Sequence, residues 1–157
     1  EYSLWTRNPE IALSQACQAL GTALVAFSPL GRGFLSGAIH AATAFAEGDM
    51  RAGMPRFQGE NLRHNLTLLA QFRSVAQRLE ITPAQLALAW VKAQGSHVIP
   101  IPGTRSAAHM RENLQAEQVV LSAPDVALLN DMMRPHEVAG ARYNEAQQAD
   151  IDTEEFV

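Results

Sequence analysis

The 157-residue chain is 47% apolar and 18% charged, a globular composition that excludes a disordered polar segment. Twelve basic residues stand against 16 acidic ones, a net charge of -4, which excludes a general affinity for nucleic acid or an anionic membrane and leaves only a local basic pocket. Its apolar runs are short and broken by Ser, Gly or Gln, so none spans a bilayer, and the single cysteine, Cys17, excludes an internal disulfide and is compatible with a reducing, cytoplasmic setting.

The chain opens Glu1-Tyr2-Ser3-Leu4-Trp5, with neither an initiator Met nor a signal-peptide pattern, which reads as a start inside a larger protein. Asn8 as cap, Pro9 in the first turn and Gly21 as stop predict a first helix. Along it Leu13, Ala16, Cys17 and Leu20 recur at helical spacing, with Cys17 expected to be a buried thiol. Residues 23–27 are almost wholly apolar and predict a strand buried on both faces. Ser28-Pro29-Leu30-Gly31-Arg32-Gly33 is a turn signal. A long connection follows to about Phe57, punctuated by Gly48, Gly53 and Pro55 and anchored by Phe34, Leu35, Ile39 and Phe45. A connection of that length marks a functional loop or lid, or partial disorder.

Leu62, Leu66, Leu69, Phe72, Ala76 and Leu79 trace one face of a long helix. Thr82-Pro83-Ala84-Gln85 is a capping box that opens a second one, ending near Gly95. His97-Val98-Ile99-Pro100-Ile101 predicts the second strand, with Pro100 expected at its end because proline removes a ladder donor. Pro102-Gly103-Thr104 turns into a helix from Ser106 that carries Met110 and Leu114. Ser122 with Asp125 then caps another carrying Val126, Leu129 and Met133. Beyond Arg142 no basic residue remains; residues 136–157 read as a loosely held acidic tail, with Phe156 and Val157 as its terminal apolar anchors.

Strands followed by glycine-containing turns and helices indicate α/β architecture with a parallel sheet. Two strands do not distinguish an open sheet from a closed barrel, and they leave much helical apolar surface uncovered, the mark of an incomplete domain. In such folds ligands meet the loops after the strands. Ser28, Leu30, Gly31 and Arg32 line the first of these turns, and Gly103, Thr104 and Arg105 the second. Arg105 and the Thr104 hydroxyl are suited to a phosphate, against the plainer reading of an ordinary turn with a solvated arginine. Glu112 and Asn113 suit an adenine or ribose edge, or simply a solvated helix face; Phe27 suits a flat ring, or the core. The five histidines have no metal-binding spacing, no GxSxG elbow is present, and Tyr2 and Tyr143 have no Lys or His at a telling interval. Neither a catalytic group nor a metal site is expected.

Five stretches in order carry a resemblance: EYSLWTR at the start, VAFSPLGRGFLSG at 25–37, PRFQGEN at 55–61, TPAQLALAW at 82–90 and IPIPGTRSAAHMRENL at 99–114. Together they resemble the aldo-keto reductases, especially the bacterial-type branch related to the potassium-channel beta subunits. That resemblance implies the C-terminal portion of a (β/α)8 TIM barrel, about strands six to eight with their helices. Residues 1–135 would form that half-barrel, and the missing N-terminal half would be required. It implies NADPH along the rim, with NADH possible. Phe27 would stack on the nicotinamide; Ser28, Leu30, Gly31 and Arg32 would meet the pyrophosphate and ribose. Gly103, Thr104 and Arg105 would surround the 2′-phosphate, and Glu112 and Asn113 the adenine. His109 stands where many members have an arginine, which weakens the expected preference for NADPH. The family's catalytic tyrosine, lysine, aspartate and histidine fall outside the chain. The expectation is a carbonyl reductase when the barrel is complete; the alternatives are a non-catalytic nucleotide-binding interaction protein and an inactive half-barrel.

Overall fold

In the computed structural model, which describes residues 1–156, two short parallel strands lie side by side. Strand β1 (Leu24–Phe27) pairs with β2 (Val98–Ile101) in the register Leu24↔Val98 to Phe27↔Ile101. A parallel pair needs a long crossover, and here it contains helices α2 (Gly59–Arg78) and α3 (Pro83–Ala93). Helix α1 (Leu13–Ala19) precedes β1; α4 (Ala107–Gln115), α5 (Ala123–Met132) and the one-turn α6 (Glu145–Gln148) follow β2.

The core lies between the ribbon and the crossover. Helix α3 is buried along Leu86, Ala87, Leu88, Ala89, Trp90 and Val91. Its start is the expected capping box: the Thr82 hydroxyl accepts from the Gln85 amide while the Gln85 side chain accepts from the Thr82 amide. Trp90 is fully buried, donates from Nε1 to Asn130 at 2.8 Å and meets Tyr2 edge-on. A second aromatic group joins the segments around it: Trp5 stacks on Phe34 at 4.0 Å, and Phe57 packs edge-on against both.

Several expectations are corrected. The first helix does not begin at Asn8: Asn8–Glu10 is a 3-10 turn, and α1 starts only at Leu13. The Asn8 side chain does not cap; its Nδ2 donates to the Glu154 carbonyl. No residue of α1 is buried, so Cys17 is half-exposed, not a core thiol. Strand β1 is covered on one face only, with Val25 and Phe27 exposed, and Ile99 and Ile101 continue that open face on β2. Pro100 sits inside β2. The register explains this: Leu24 donates to the His97 carbonyl, so Ile99 and Ile101 turn their amides toward β1 and the Pro100 nitrogen faces the unpaired edge. On α2 the buried face runs through Leu62, Asn65, Leu68, Leu69, Phe72, Val75 and Ala76; Leu66 and Leu79 sit at its margin.

The segment after α5 is tied down by long-range bonds. Fully buried Asn65 on α2 donates to the Ala139 carbonyl and accepts from its amide, both at 2.9 Å. Arg56 donates to the Gly140 carbonyl. Phe156 is exposed, and Val157, the other expected anchor, lies outside the described residues.

Candidate functional site

A cavity of about 780 Å³ opens at the C-terminal ends of the two strands. Phe27 ends β1 and Ile101 ends β2, and the two are register partners, so both turns leave the sheet at the same edge. That geometry gathers residues far apart in sequence. Phe27, Ser28, Leu30 and Arg32 line the cavity from the first turn; Gly103, Thr104, His109, Glu112 and Asn113 line it from the second turn and α4.

The first turn is a run of left-handed backbone: φ is +50° at Ser28, +55° at Gly31, +56° at Arg32 and +89° at Gly33. A side chain on Gly31 has no room, since a Cβ there would stand 3.0 Å from the Trp5 ring. Ser28 and Arg32 hold the same region without glycine's freedom, and backbone strain of this kind is kept only where surrounding contacts over-determine it. At Arg32 those contacts are visible. Its Nη2 donates to Glu1 at 2.9 Å and to the Tyr143 hydroxyl at 2.5 Å, and its backbone carbonyl accepts from Arg51. Arg51 in turn is locked to Asp49, and this pairing draws the Asp49 carboxyl down to about 2.

The second turn is built by local capping. The Thr104 hydroxyl accepts from the Ser106 amide, and the Ser106 hydroxyl accepts from the His109 amide at the start of α4. Capping orients α4 so that Glu112 and Asn113 face the cavity from its middle.

Two of the expected residues lie elsewhere. Gly31 packs its backbone on Trp5 instead of lining the cavity, and Arg105 is exposed outside it. Other lining residues escaped the sequence reading, among them Gly33, Ser36, Gly37, Ala38 and Ala84. Gly33 and Gly37 carried a legible signal, because glycines within a turn mark positions of positive φ, which both adopt. Glu1, Arg142 and Tyr143, which surround Arg32, carried none: their partners are about thirty to 140 positions away.

Two residues that line the cavity carry unpartnered donors. The Asn113 Nδ2 and the Arg32 Nε are buried without a hydrogen-bond partner, although both residues line it. A buried donor without an acceptor costs about 1–3 kcal/mol, so these atoms favour a ligand rich in acceptors. Proton-transfer groups are scarcer. Tyr2 is fully buried, donates to Glu10 at 3.0 Å, and has its phenol pushed far up by burial and then by the Glu10 charge. It is committed to structure and does not line the cavity. Among the described residues no group of three or more His, Cys, Asp or Glu gathers as a metal site. No described helix is long and apolar enough to cross a membrane.

The sequence pattern of the Aldo/keto reductase family matches residues 1–134. The Schizosaccharomyces pombe protein named aldo-keto reductase yakc, NADP(+), is 42% identical over 142 residues, which is 90% of this chain and 42% of its own length. Probable aldo-keto reductase 1 of Glycine max is 41% identical over 143 residues, 91% of this chain and 41% of its own. The solved glycerol dehydrogenase AKR11B4 from Gluconobacter oxydans superimposes with a TM-score of 0.79 over 85% of this chain and 42% of its own. At 23% identity that likeness is one of fold alone. The thermostable aldo-keto reductase Tm1743, solved with the inhibitor epalrestat, gives a TM-score of 0.57 at 28% identity, over 84% of this chain and 38% of its own. The chain thus spans about two fifths of the length of these relatives. Its two parallel strands and their helices are an incomplete portion of a (β/α)8 barrel. With the family pattern running over most of its length and relatives above 40% identity, the chain belongs to the aldo/keto reductase family.

Proposed function

We propose that this chain forms the cofactor side of an NADPH-dependent carbonyl reductase, reducing aldehydes or ketones to alcohols once the rest of the barrel completes the site. One observation carries the reading: the turns after β1 and β2, with α4, enclose a single cavity that holds all the expected cofactor residues except Gly31 and Arg105. The name of the fission-yeast relative, which includes NADP(+), supports the same cofactor.

The residues fit a dinucleotide. The unpartnered Asn113 Nδ2 beside Glu112 suits an adenine edge, and the unpartnered Arg32 Nε suits a pyrophosphate oxygen. Phe27, partly exposed at the end of β1, offers an apolar face to the nicotinamide and keeps water from it. Ser28 and Leu30 shape the wall beneath the ribose, with Gly31 allowing the turn its tight path over Trp5. Gly103, Thr104 and His109 would take the 2′-phosphate end, and Arg105, exposed at its lip, would close on it from outside. With His109 in place of an arginine, charge recognition at that end is modest, and NADH should be accepted at a measurable rate.

Bound NADPH supplies the hydride that reduces the carbonyl. The family's proton-transfer groups would come from the rest of the barrel; this chain's part is to bind, orient and shield the cofactor. The test uses the complete polypeptide: follow loss of reduced nicotinamide absorbance with aromatic and aliphatic aldehydes and ketones, for NADPH and NADH separately. Turnover with a preference for NADPH is expected. Failure to bind either dinucleotide refutes the reading.

A further inference from the structure

The family pattern stops at residue 134, yet the cavity's one arginine is held in part by a residue beyond it, Tyr143. The segment 139–143 leaves α2 at the Asn65–Ala139 clasp and passes close to that helix at Gly140. There φ is +89°, and a Cβ would meet Asn61 Nδ2 at 2.7 Å, so only glycine permits the approach. The segment ends with Tyr143 on Arg32 and with Arg142 against Tyr143 and Glu1.

At that point three side chains converge. The Tyr143 hydroxyl accepts from Arg32 Nη2, while its ring lies 5.1 Å from the same guanidinium. The Glu1 carboxylate, almost wholly buried, takes Arg32 at 2.9 Å and Arg142 at 3.1 Å. Arg142 also lies over the Phe27 ring, 5.9 Å from its centroid, so this group borders both ends of the first turn. One carboxylate between two arginines leaves the cluster with a net positive charge. A guanidinium has a fixed planar fork of donors, and once Nη2 is bound twice and the ring is stacked, the direction of the free Nε is set as well.

We propose that Tyr143, assisted by Arg142, is a positioning residue for Arg32: the segment beyond the family pattern sets the guanidinium that receives the dinucleotide pyrophosphate. The inference rests on the dinucleotide reading given above. Tyr143 does not line the cavity and acts through Arg32.

The experiment measures dissociation constants for NADPH and for adenosine 2′-monophosphate, which lacks the pyrophosphate, by calorimetry on the complete polypeptide. Wild type is compared with Tyr143→Phe, Arg32→Met, the double variant, and Arg142→Gln. Losing a hydrogen bond to a charged partner predicts about tenfold weaker NADPH binding for Tyr143→Phe, with adenosine 2′-monophosphate unchanged. The double variant should bind NADPH no more weakly than Arg32→Met alone. Arg142→Gln should repeat the selective loss at smaller size, and it decides the matter should Tyr143→Phe not fold. Equal losses for both ligands indicate general loosening and overturn the inference. So do unchanged NADPH affinity in Tyr143→Phe, and additive losses in the double variant. Wild type that binds no NADPH refutes the dinucleotide reading itself, an outcome distinct from wild type that binds while the variants bind equally well.

Discussion

Replacing Asn65 by Leu probes how firmly the C-terminal segment is joined to the body of the domain. Asn65 is fully buried on α2 and makes three bonds: Nδ2 to the carbonyls of Ala139 (2.9 Å) and Arg56 (3.1 Å), and Oδ1 from the Ala139 amide (2.9 Å). Leucine has the same number and branching of heavy atoms, so no cavity is left and the change reports chiefly on hydrogen bonding. Each bond contributes about 1 kcal/mol net, and each partner left dry costs further. Ala139 is only half-buried, however, and water can re-solvate its backbone once the clasp opens. The two effects oppose, and a loss of about 2–3 kcal/mol is expected. The assay is urea unfolding of the complete polypeptide, followed by the fluorescence of Trp5 and Trp90. A second measurement makes the origin explicit: in a chain ending after Arg134, the same substitution should cost about 1 kcal/mol or less, because Ala139 is gone and only the Arg56 bond remains. An undiminished penalty in the shortened chain would show that Asn65 acts within α2 and not as a clasp, and would refute the reasoning.

Gly31→Ala places a Cβ at φ +55° against Trp5, and should lower stability by about 1–2 kcal/mol in a thermal melt while weakening NADPH binding. An unchanged melting temperature would mean that the turn relaxes without cost. Asn113→Leu removes the unpartnered donor from the cavity and should weaken NADPH about tenfold by calorimetry, yet leave the fold intact; equal affinity would remove Asn113 from the site. Thr82→Ala breaks the capping box of α3 and should cost about 1 kcal/mol in urea unfolding, an effect that vanishes if the Gln85 side chain alone caps the helix. Asp49, drawn down from 3.8 to about 2 by the Arg51 side chain and then its backbone amide, is a carboxylate whose folded value is depressed. Its contribution is therefore full above about pH 4 and is lost as pH falls through about 2. Hydrogen exchange at Arg51 and Ala52 should accelerate over that acid range in the wild type and be insensitive to it in Asp49→Asn.

Local chemistry made much of this protein legible in its sequence. The capping box at Thr82, the cap at Ser122, the helix that begins after Ser106 and the glycine turn after β1 all depend on residues within four positions of one another, and each forms as expected. So do the two strands, because a short apolar run bounded by turn residues has few alternatives. The ordered stretches that resemble the family also pointed to the cavity residues, most of which converge in space.

Tertiary structure decided what local rules cannot encode. Asn8 has the chemistry of a cap but a partner in Glu154, so the first helix starts later. Apolar composition did not reveal that Val25 and Phe27 belong to an uncovered face, since burial depends on which elements pack alongside the strand. Pro100 is tolerated mid-strand only because pairing on one side leaves its nitrogen at a free edge. Arg32 read as a turn residue, but its environment is made by Glu1 and Tyr143 from opposite ends of the chain. A sequence states what each side chain can bond; which partner it meets is settled when the chain closes on itself, because the competing partners are equal in chemistry and differ only in position.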